Sequence, residues 1–184
     1  KDEVKYEVGA DTQTVINLLD WNGVSPLTTS MGWLNAAGTV SANGIRVTGA
    51  ANASVVNNEI TSAFNNGILI IDGTNVEIRG NEIQHAAQNG IAVHDAANAV
   101  LADNDVQTSG GDGLRVMSGT NVEISNNSLG NIDKSGLALV GVEYGLVTNN
   151  TVEFAGLHGI QIVDGNHVDV IANNVERAIG NGVD

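Results

Sequence analysis

A 23-residue period runs through most of this chain. Each copy opens on a glycine, with no insertion between copies, at Gly44, Gly67, Gly90, Gly113, Gly136 and Gly159. Gly182, Val183 and Asp184 match the start of a seventh copy. A strict period of this length indicates a repeat architecture in which each unit packs against its neighbours, and it separates residues 44–184 from a non-repetitive lead-in, residues 1–43.

Aliphatic residues recur at the second, fourth, twelfth and seventeenth positions of each copy, as at Ile91, Val93, Leu101 and Val106. Two apolar residues that flank one variable residue have the spacing of a strand with one buried face. The segments are too short and too closely spaced to leave helices between parallel strands. We therefore predict an all-β solenoid with three strands per turn. At about 4.8 Å per coil, six coils would form a rod about 29 Å long.

The fifteenth position is asparagine in all six copies: Asn58, Asn81, Asn104, Asn127, Asn150 and Asn173. An amide at one turn site can donate to the copy on one side and accept from the copy on the other, so these residues are predicted to form a structural ladder. The opening glycine follows a polar residue at a corner, where we expect either a positive φ or a close approach of backbone.

The charge balance limits the partners. The net charge is −14 with only seven lysines and arginines, which argues against nucleic acid and anionic membranes, since both require a cationic surface. No apolar run approaches the roughly 18 residues of a membrane span. Cysteine is absent, so disulfides play no part.

Acidic residues recur in the third segment of the copies, at Glu59, Glu82, Asp105, Glu153 and Glu176. We interpret this broken stripe as a solvated face that discourages lateral strand pairing. Calcium bound between coils is the alternative interpretation, and it makes calcium a candidate cofactor.

Residues 1–43 do not share the period. Residues 3–8 alternate like a strand, and Asp11 is placed to cap a short amphipathic helix that carries Val15 and Ile16. We expect this segment to cap the first coil, whose strand edges would otherwise be unpaired. Trp21 and Trp33 are assigned to packing of the cap, with stacking on sugar rings as the alternative.

The repeat GIAVHDAANAVLADNDVQTSGGD, residues 90–112, and its neighbours resemble the parallel β-helix repeats of the pectin-lyase-like superfamily, especially those of mannuronan C-5 epimerases. The resemblance covers Gly44 to Asp184. It implies a right-handed β-helix, an extracellular or cell-surface location, and exterior grooves that hold extended acidic polysaccharides. The activity does not follow from the fold, because the superfamily hosts lyases, hydrolases, epimerases and tailspikes.

The catalytic motifs of these families are mostly missing. Tyr144-Gly145 is followed by Leu146-Val147 rather than by the Asp-Pro-His that the epimerase signature would place after Tyr-Gly. Only His158-Gly159 matches part of the Gly-His-Gly motif of polygalacturonases. Catalysis is therefore left undecided by the sequence.

One neighbourhood nevertheless combines the groups that a uronate epimerase or lyase would need. His94 and Arg115 face outward on adjacent first strands, Asp95 follows His94, and Asp72 is the equivalent of Asp95 one coil earlier. Arg115 would neutralise the sugar carboxylate, His94 would act as general acid or base, and the aspartates would orient His94 or bind a cation. The alternative is a set of surface polar residues at a strand end.

The same face carries apolar side chains at Leu69, Ile71, Ala92, Met117, Ala138, Val140 and Val163. An apolar exterior of this kind is typical of a surface covered by another segment, a second protomer or a protein partner. Two hypotheses follow. The chain is either a β-helix that binds or processes an acidic polysaccharide, or a structural or adhesive solenoid of a fibre, tailspike or filament whose uncapped C-terminal coil continues into more chain or docks on a subunit.

Overall fold

In the computed structural model, residues 43–184 and the backbone of one earlier strand, β1 (Val15–Ile16), are described. Within them the chain winds as a parallel β-solenoid of about six coils with three strands per coil. No helix is present in these residues, and so none has the length and hydropathy of a membrane span. The predicted all-β solenoid is confirmed.

The first sheet contains the first strand of each coil. Its members are β2 (Ile45–Thr48), β5 (Ile68–Ile71), β8 (Ile91–His94), β11 (Leu114–Met117), β14 (Leu137–Val140) and β17 (Ile160–Val163).

The second sheet contains β1 and the second strand of each coil. After β1 these are β3 (Ser54–Val56), β6 (Glu77–Arg79), β9 (Ala97–Ala102), β12 (Thr120–Ser125), β15 (Glu143–Thr148) and β18 (Asn166–Ile171).

The third sheet contains β4 (Glu59–Ile60), β7 (Glu82–Ile83), β10 (Asp105–Ser109), β13 (Ser128–Ile132), β16 (Thr151–Ala155) and β19 (Asn174–Val175). Between successive coils the partners are offset by one period, as in the pairing of Val93 with Val116.

The interior is a continuous aliphatic stack. Ile70, Val93, Val116 and Leu139 are fully buried neighbours on the first sheet, and the other two sheets contribute equivalent rows. Burying one such side chain stabilises the fold by about 1.5–3 kcal/mol. The second, fourth, twelfth and seventeenth positions predicted to point inward do so along most of the solenoid.

The opening glycines are required by close approach of backbone. A Cβ built on Gly90 would lie 2.6 Å from the carbonyl oxygen of Gly113 and 2.5 Å from a methyl carbon of Val106. The alternative expectation of a positive φ was wrong, because the described glycines with positive φ are Gly49, Gly80 and Gly141.

Left-handed backbone instead occurs at the sixth, ninth and fourteenth positions of each coil, which are mostly Asn, Asp, Gly or Ser. These residue types tolerate that conformation best. In the later coils the ninth position lies within a strand of the second sheet, such as β12.

One expectation about the N-terminal segment is corrected. Val15 and Ile16 form a strand that pairs in parallel with Ser54 and Val55, rather than part of a helix. This pairing satisfies backbone groups at the edge of β3, a requirement that a helix could not meet. The strand expected over residues 3–8, the cap at Asp11, and Trp21 and Trp33 lie outside the described residues.

Candidate functional site

A shallow depression of about 390 Å³ lies at the corner between the first and second sheets. Asp72, Asp95 and Ser118 occupy the same position in three successive coils, and Thr74 and Thr120 complete the polar lining. Apart from small residues the surface is made of carboxylates and hydroxyls. It is open to solvent and crosses three coils, which suits a long, hydroxyl-rich ligand better than a compact one.

The sixth position of the coil explains how these side chains reach the surface. Asp72, Asp95 and Ser118 all have left-handed backbone, with φ of 55°, 53° and 53°. Each donates its backbone N–H to a carbonyl one coil further on, as Asp95 does to Met117 at 2.9 Å. The coil-to-coil bonds satisfy the turn, so both carboxylates are left exposed, and neither accepts a hydrogen bond from a described residue.

His94 is the last residue of β8 and lies in register between Ile71 and Met117. It is half-buried. Its backbone carbonyl accepts from the N–H of Asp72 at 3.1 Å, but its ring forms no hydrogen bond with the side chain of Asp72 or Asp95. Chain connectivity therefore places His94 beside the depression without engaging its ring with the carboxylates.

Arg115 is held at the other end of its strand. Its Nη1 donates to Oδ2 of Asp112 at 2.7 Å, and the Asp112 side chain is only 4% exposed. Because Asp112 precedes β11, this ion pair draws the guanidinium away from the end of β8 where His94 lies. The structure thus brings Asp72 and Asp95 together, but it does not bring Arg115 to them. The catalytic roles given to His94, Arg115, Asp95 and Asp72 stay predictions.

The predicted asparagine ladder is present. Side-chain amides donate to Oδ1 of the next asparagine at 2.8–2.9 Å through the whole series Asn58, Asn81, Asn104, Asn127, Asn150 and Asn173. Most members donate a second hydrogen bond to a carbonyl on the second sheet, as Asn104 does to Ile78 at 3.0 Å. These residues are scaffold and hold the corner between the second and third sheets.

A second ladder was missed by sequence reasoning. It uses the residue before each opening glycine, where the backbone N–H donates to the side chain one coil earlier: Asn66 to Asn43, Asn89 to Asn66, Asp112 to Asn89 and Ser135 to Asp112. Its members vary in type, so no invariant residue marked it. Asp112 belongs to this ladder, which explains why Arg115 has a fixed partner.

The first three residues of the predicted acidic stripe lie side by side on adjacent coils. Glu59, Glu82 and Asp105 are register neighbours on the third sheet. Gln84 and Gln107 each donate an amide to these glutamates, Gln107 to Glu82 at 2.9 Å. Desolvation by burial and, second, the charge of Glu82 raise the pKa of Asp105, against a hydrogen bond from Ser128 that lowers it.

No group of three or more His, Asp or Glu side chains in the described part of the chain is arranged to hold a metal ion. Calcium as a cofactor therefore stays a prediction, and any bound cation would need ligands from outside these residues.

The apolar outward face is mostly covered within the chain. Ala92 and Ala138 are buried between longer register neighbours, which are Leu69 and Arg115 for Ala92. Leu69 is itself buried, and Ile71, Met117 and Val140 are half-buried, whereas Val163 is 38% exposed. The apolar exterior noted in the sequence is thus exposed mainly at its C-terminal end. Its coverage by another segment, protomer or partner stays a prediction.

An exposed aromatic pair was not predicted. Tyr144 and His167 occupy the ninth position of successive coils and stack with ring centroids 5.0 Å apart and an angle of 22° between planes. Earlier coils carry asparagines there, which form a surface ladder through Asn52, Asn75, Asn98 and Asn121. The aromatic stack continues that row.

Comparison with known proteins agrees with this architecture. Residues 43–184 match the family model described as "Right handed beta helix region", so the chain belongs to the right-handed β-helix family. Among solved structures, it is similar to the A-module of the mannuronan C-5 epimerase AlgE4 from Azotobacter vinelandii, with 11% identity and a TM-score of 0.40. That match covers 78% of this chain and 53% of the module, so the chain spans about half of the module's length. No curated protein sequence matched the chain.

Proposed function

We propose that this chain is an extracellular β-helix module that binds an extended acidic polysaccharide, a uronan such as alginate or pectate, across the corner depression. The observation that carries the proposal is the pair of exposed carboxylates, Asp72 and Asp95, one coil apart in an open polar surface. Carboxylates without a protein partner accept hydrogen bonds from sugar hydroxyls or share a cation with a sugar carboxylate. The resemblance of the repeat to mannuronan epimerases favours a uronan.

The charge of the chain sets a condition on this binding. With a net charge of −14, the protein repels a polyanion unless a cation lies between them. Calcium takes six to eight oxygen ligands, so two aspartates need several more from the polysaccharide and from water. We therefore expect uronan binding to depend on calcium.

The geometry supports binding more than turnover. A general base acts when its nitrogen or oxygen lies within about 2.6–3.2 Å of the atom that carries the proton. Removal of the C5 proton of a uronate also needs a group that neutralises the sugar carboxylate. The Arg115 guanidinium is engaged by Asp112, and the His94 ring forms no hydrogen bond with either aspartate side chain. Binding requires only that the two exposed carboxylates contribute ligands to a cation or hydroxyl shared with the polysaccharide, so binding is the function that we propose.

The test is electrophoresis of the native protein through gels that contain alginate, polygalacturonate or neutral galactomannan, each with calcium or with EDTA. We expect retardation by alginate or polygalacturonate in calcium only. Parallel incubations are read for unsaturated products by absorbance and for C5 inversion by proton NMR, and neither signal is expected.

The other outcomes decide between the alternatives. Retardation by galactomannan alone would contradict the acidic class of ligand. Unsaturated or inverted products would contradict binding without turnover and direct attention to His94 and Arg115. No retardation in any gel would overturn the proposal and favour the structural or adhesive solenoid.

A further inference from the structure

The ninth position of the coil changes character along the solenoid. In four coils it is an asparagine, and three of these donate their amide to the asparagine one coil earlier, as Asn121 does to Asn98 at 3.1 Å. In the next two coils it is Tyr144 and then His167, with the same left-handed backbone, φ of 59° and 54°. Asparagine suits this conformation better than an aromatic residue does. At this position Tyr144 and His167 therefore replace a residue type that suits the backbone better, and they place two rings on the surface.

The exposed rings are stacked on each other, which leaves one face of Tyr144 uncovered by His167. His167 comes from the following coil, so the other face of Tyr144 is on the side of the preceding coil. The equivalent residue on that side is Asn121, a shorter side chain that lies between the register pairs Thr120–Glu143 and Val122–Gly145. Tyr144 is 50% exposed. The larger Tyr144 ring therefore follows the row of shorter asparagine side chains.

The exposed Tyr144 ring lies next to the depression. Thr120, which lines the depression, pairs with Glu143, the residue before Tyr144. From the coil of Asp72 to the coil of Tyr144 there are three coil steps, about 14 Å at 4.8 Å per step. One coil step is close to the length of one sugar residue in an extended chain, so an oligosaccharide that starts at Asp72 reaches Tyr144 at about its fourth sugar.

We propose that Tyr144 is a sugar-stacking residue at the C-terminal end of the depression and that His167 is a positioning residue that braces its ring. This inference rests on the proposed function and adds a binding residue to the same site. A tyrosine ring offers an apolar face to the C–H groups of a sugar and a hydroxyl to its polar groups, and a ring held by a stacked neighbour loses less freedom on binding.

The sequence supplies a variant that removes the ring without disturbing the fold. Tyr144→Asn restores the residue type of the four preceding coils, suits the left-handed backbone and can donate to Asn121. We expect its thermal unfolding to match that of the wild type. Tyr144→Phe keeps the ring and is the matched control, and His167→Asn and His167→Phe remove and keep the stacking partner.

The experiment is calorimetric titration of each variant with hexamers of mannuronate, guluronate and galacturonate in calcium. For any hexamer that binds the wild type, Tyr144→Asn is expected to weaken binding about tenfold, and Tyr144→Phe about twofold or less. His167→Asn should weaken binding, and His167→Phe should retain it.

Failure of this inference is distinguishable from failure of the proposed function. Suppose that the double variant Asp72→Asn, Asp95→Asn binds the hexamer more weakly but Tyr144→Asn binds it as the wild type does. That result would overturn the role of Tyr144 and leave the depression as the site. Equal weakening by His167→Asn and His167→Phe would overturn the bracing role. Absence of binding to the wild type would overturn both the proposed function and this inference.

Discussion

The side-chain amide of Asn104 donates to Oδ1 of Asn127, one coil further along, at 2.9 Å. The backbone N–H of Asn104 donates to the same oxygen at 3.0 Å, and the amide also reaches the carbonyl of Ile78. Asn104 is therefore bonded to both neighbouring coils in a buried site, as are Asn81, Asn127 and Asn150. Such bonds contribute most when their loss leaves a buried group without a partner.

Asn104→Ala is expected to lower the free energy of unfolding by about 1 to 3 kcal/mol, because the amide and backbone N–H of Asn81 lose the oxygen to which they donate. Chemical denaturation monitored by circular dichroism checks this. Asn131→Ala is the matched control, since Asn131 is exposed and has no side-chain hydrogen bond with a described residue. Equal stability of the two variants would contradict the ladder's energetic role.

The opening glycines predict a steric effect. Gly90→Ala should destabilise the fold by about 1–3 kcal/mol or more, because its Cβ would overlap Gly113 and Val106. Gly141→Asn is the control, because Gly141 has a positive φ of 62° and no atom nearer than 4.0 Å to its would-be Cβ. It should be neutral or stabilising. Similar losses at both positions would show that the close approach is not the cause.

Asp105 predicts a dependence of stability on pH. Its pKa is raised in the folded state by burial and by Glu82, so the native state binds more protons than the unfolded state once the pH exceeds the ordinary value of 3.8. Stability should therefore fall as the pH rises from there through the folded pKa. Asp105→Asn should raise the denaturation midpoint at pH 7 and have little such effect at pH 3.

The assignment of the shift is checked by NMR titration of the Asp105 carboxyl. Glu82→Gln removes the neighbouring charge and should lower the Asp105 pKa toward its usual range. An unchanged titration would mean that Glu82 does not contribute.

The Arg115–Asp112 pair predicts coupling in a double-mutant cycle. Arg115→Ala leaves a buried carboxylate whose remaining partner is the N–H of Ser135, and we expect a loss of about 1–3 kcal/mol. Asp112→Asn in the same chain should restore much of it, because an asparagine continues the series Asn43, Asn66 and Asn89. Additive effects of the two substitutions in unfolding measurements would contradict the coupling.

The fold could be predicted because the information is repeated six times. Val93, Val116 and their equivalents mark the inward positions, and Asn104 and its equivalents mark one corner. Features that depend on residues of varied type were missed, such as the ladder through Asp112 and Ser135. A polar residue before each opening glycine was recognised, but its changing type gave no sign that these residues bond from coil to coil.

The site could be predicted only in part. The sixth position aligned Asp72 with Asp95, and the structure keeps them together. The direction of the Arg115 side chain could not be predicted from the repeat, because a long side chain can reach several partners. Its actual partner is Asp112, a buried carboxylate in the turn before β11. Burial of Ala92 likewise depends on how far its longer neighbours extend. The strand at Val15–Ile16 has no repeat to support it.

The most direct test of the account is the affinity of Asp72→Asn with Asp95→Asn for uronan hexamers in calcium, measured against Asp164→Asn. Asp164 has the same coil position and the same left-handed backbone, with φ of 52°, but does not line the depression. Asparagine is tolerated at all three positions. We expect the double variant to lose affinity about tenfold or more and Asp164→Asn to keep wild-type affinity. Wild-type affinity in the double variant, or an equal loss in Asp164→Asn, would contradict polysaccharide binding at this corner.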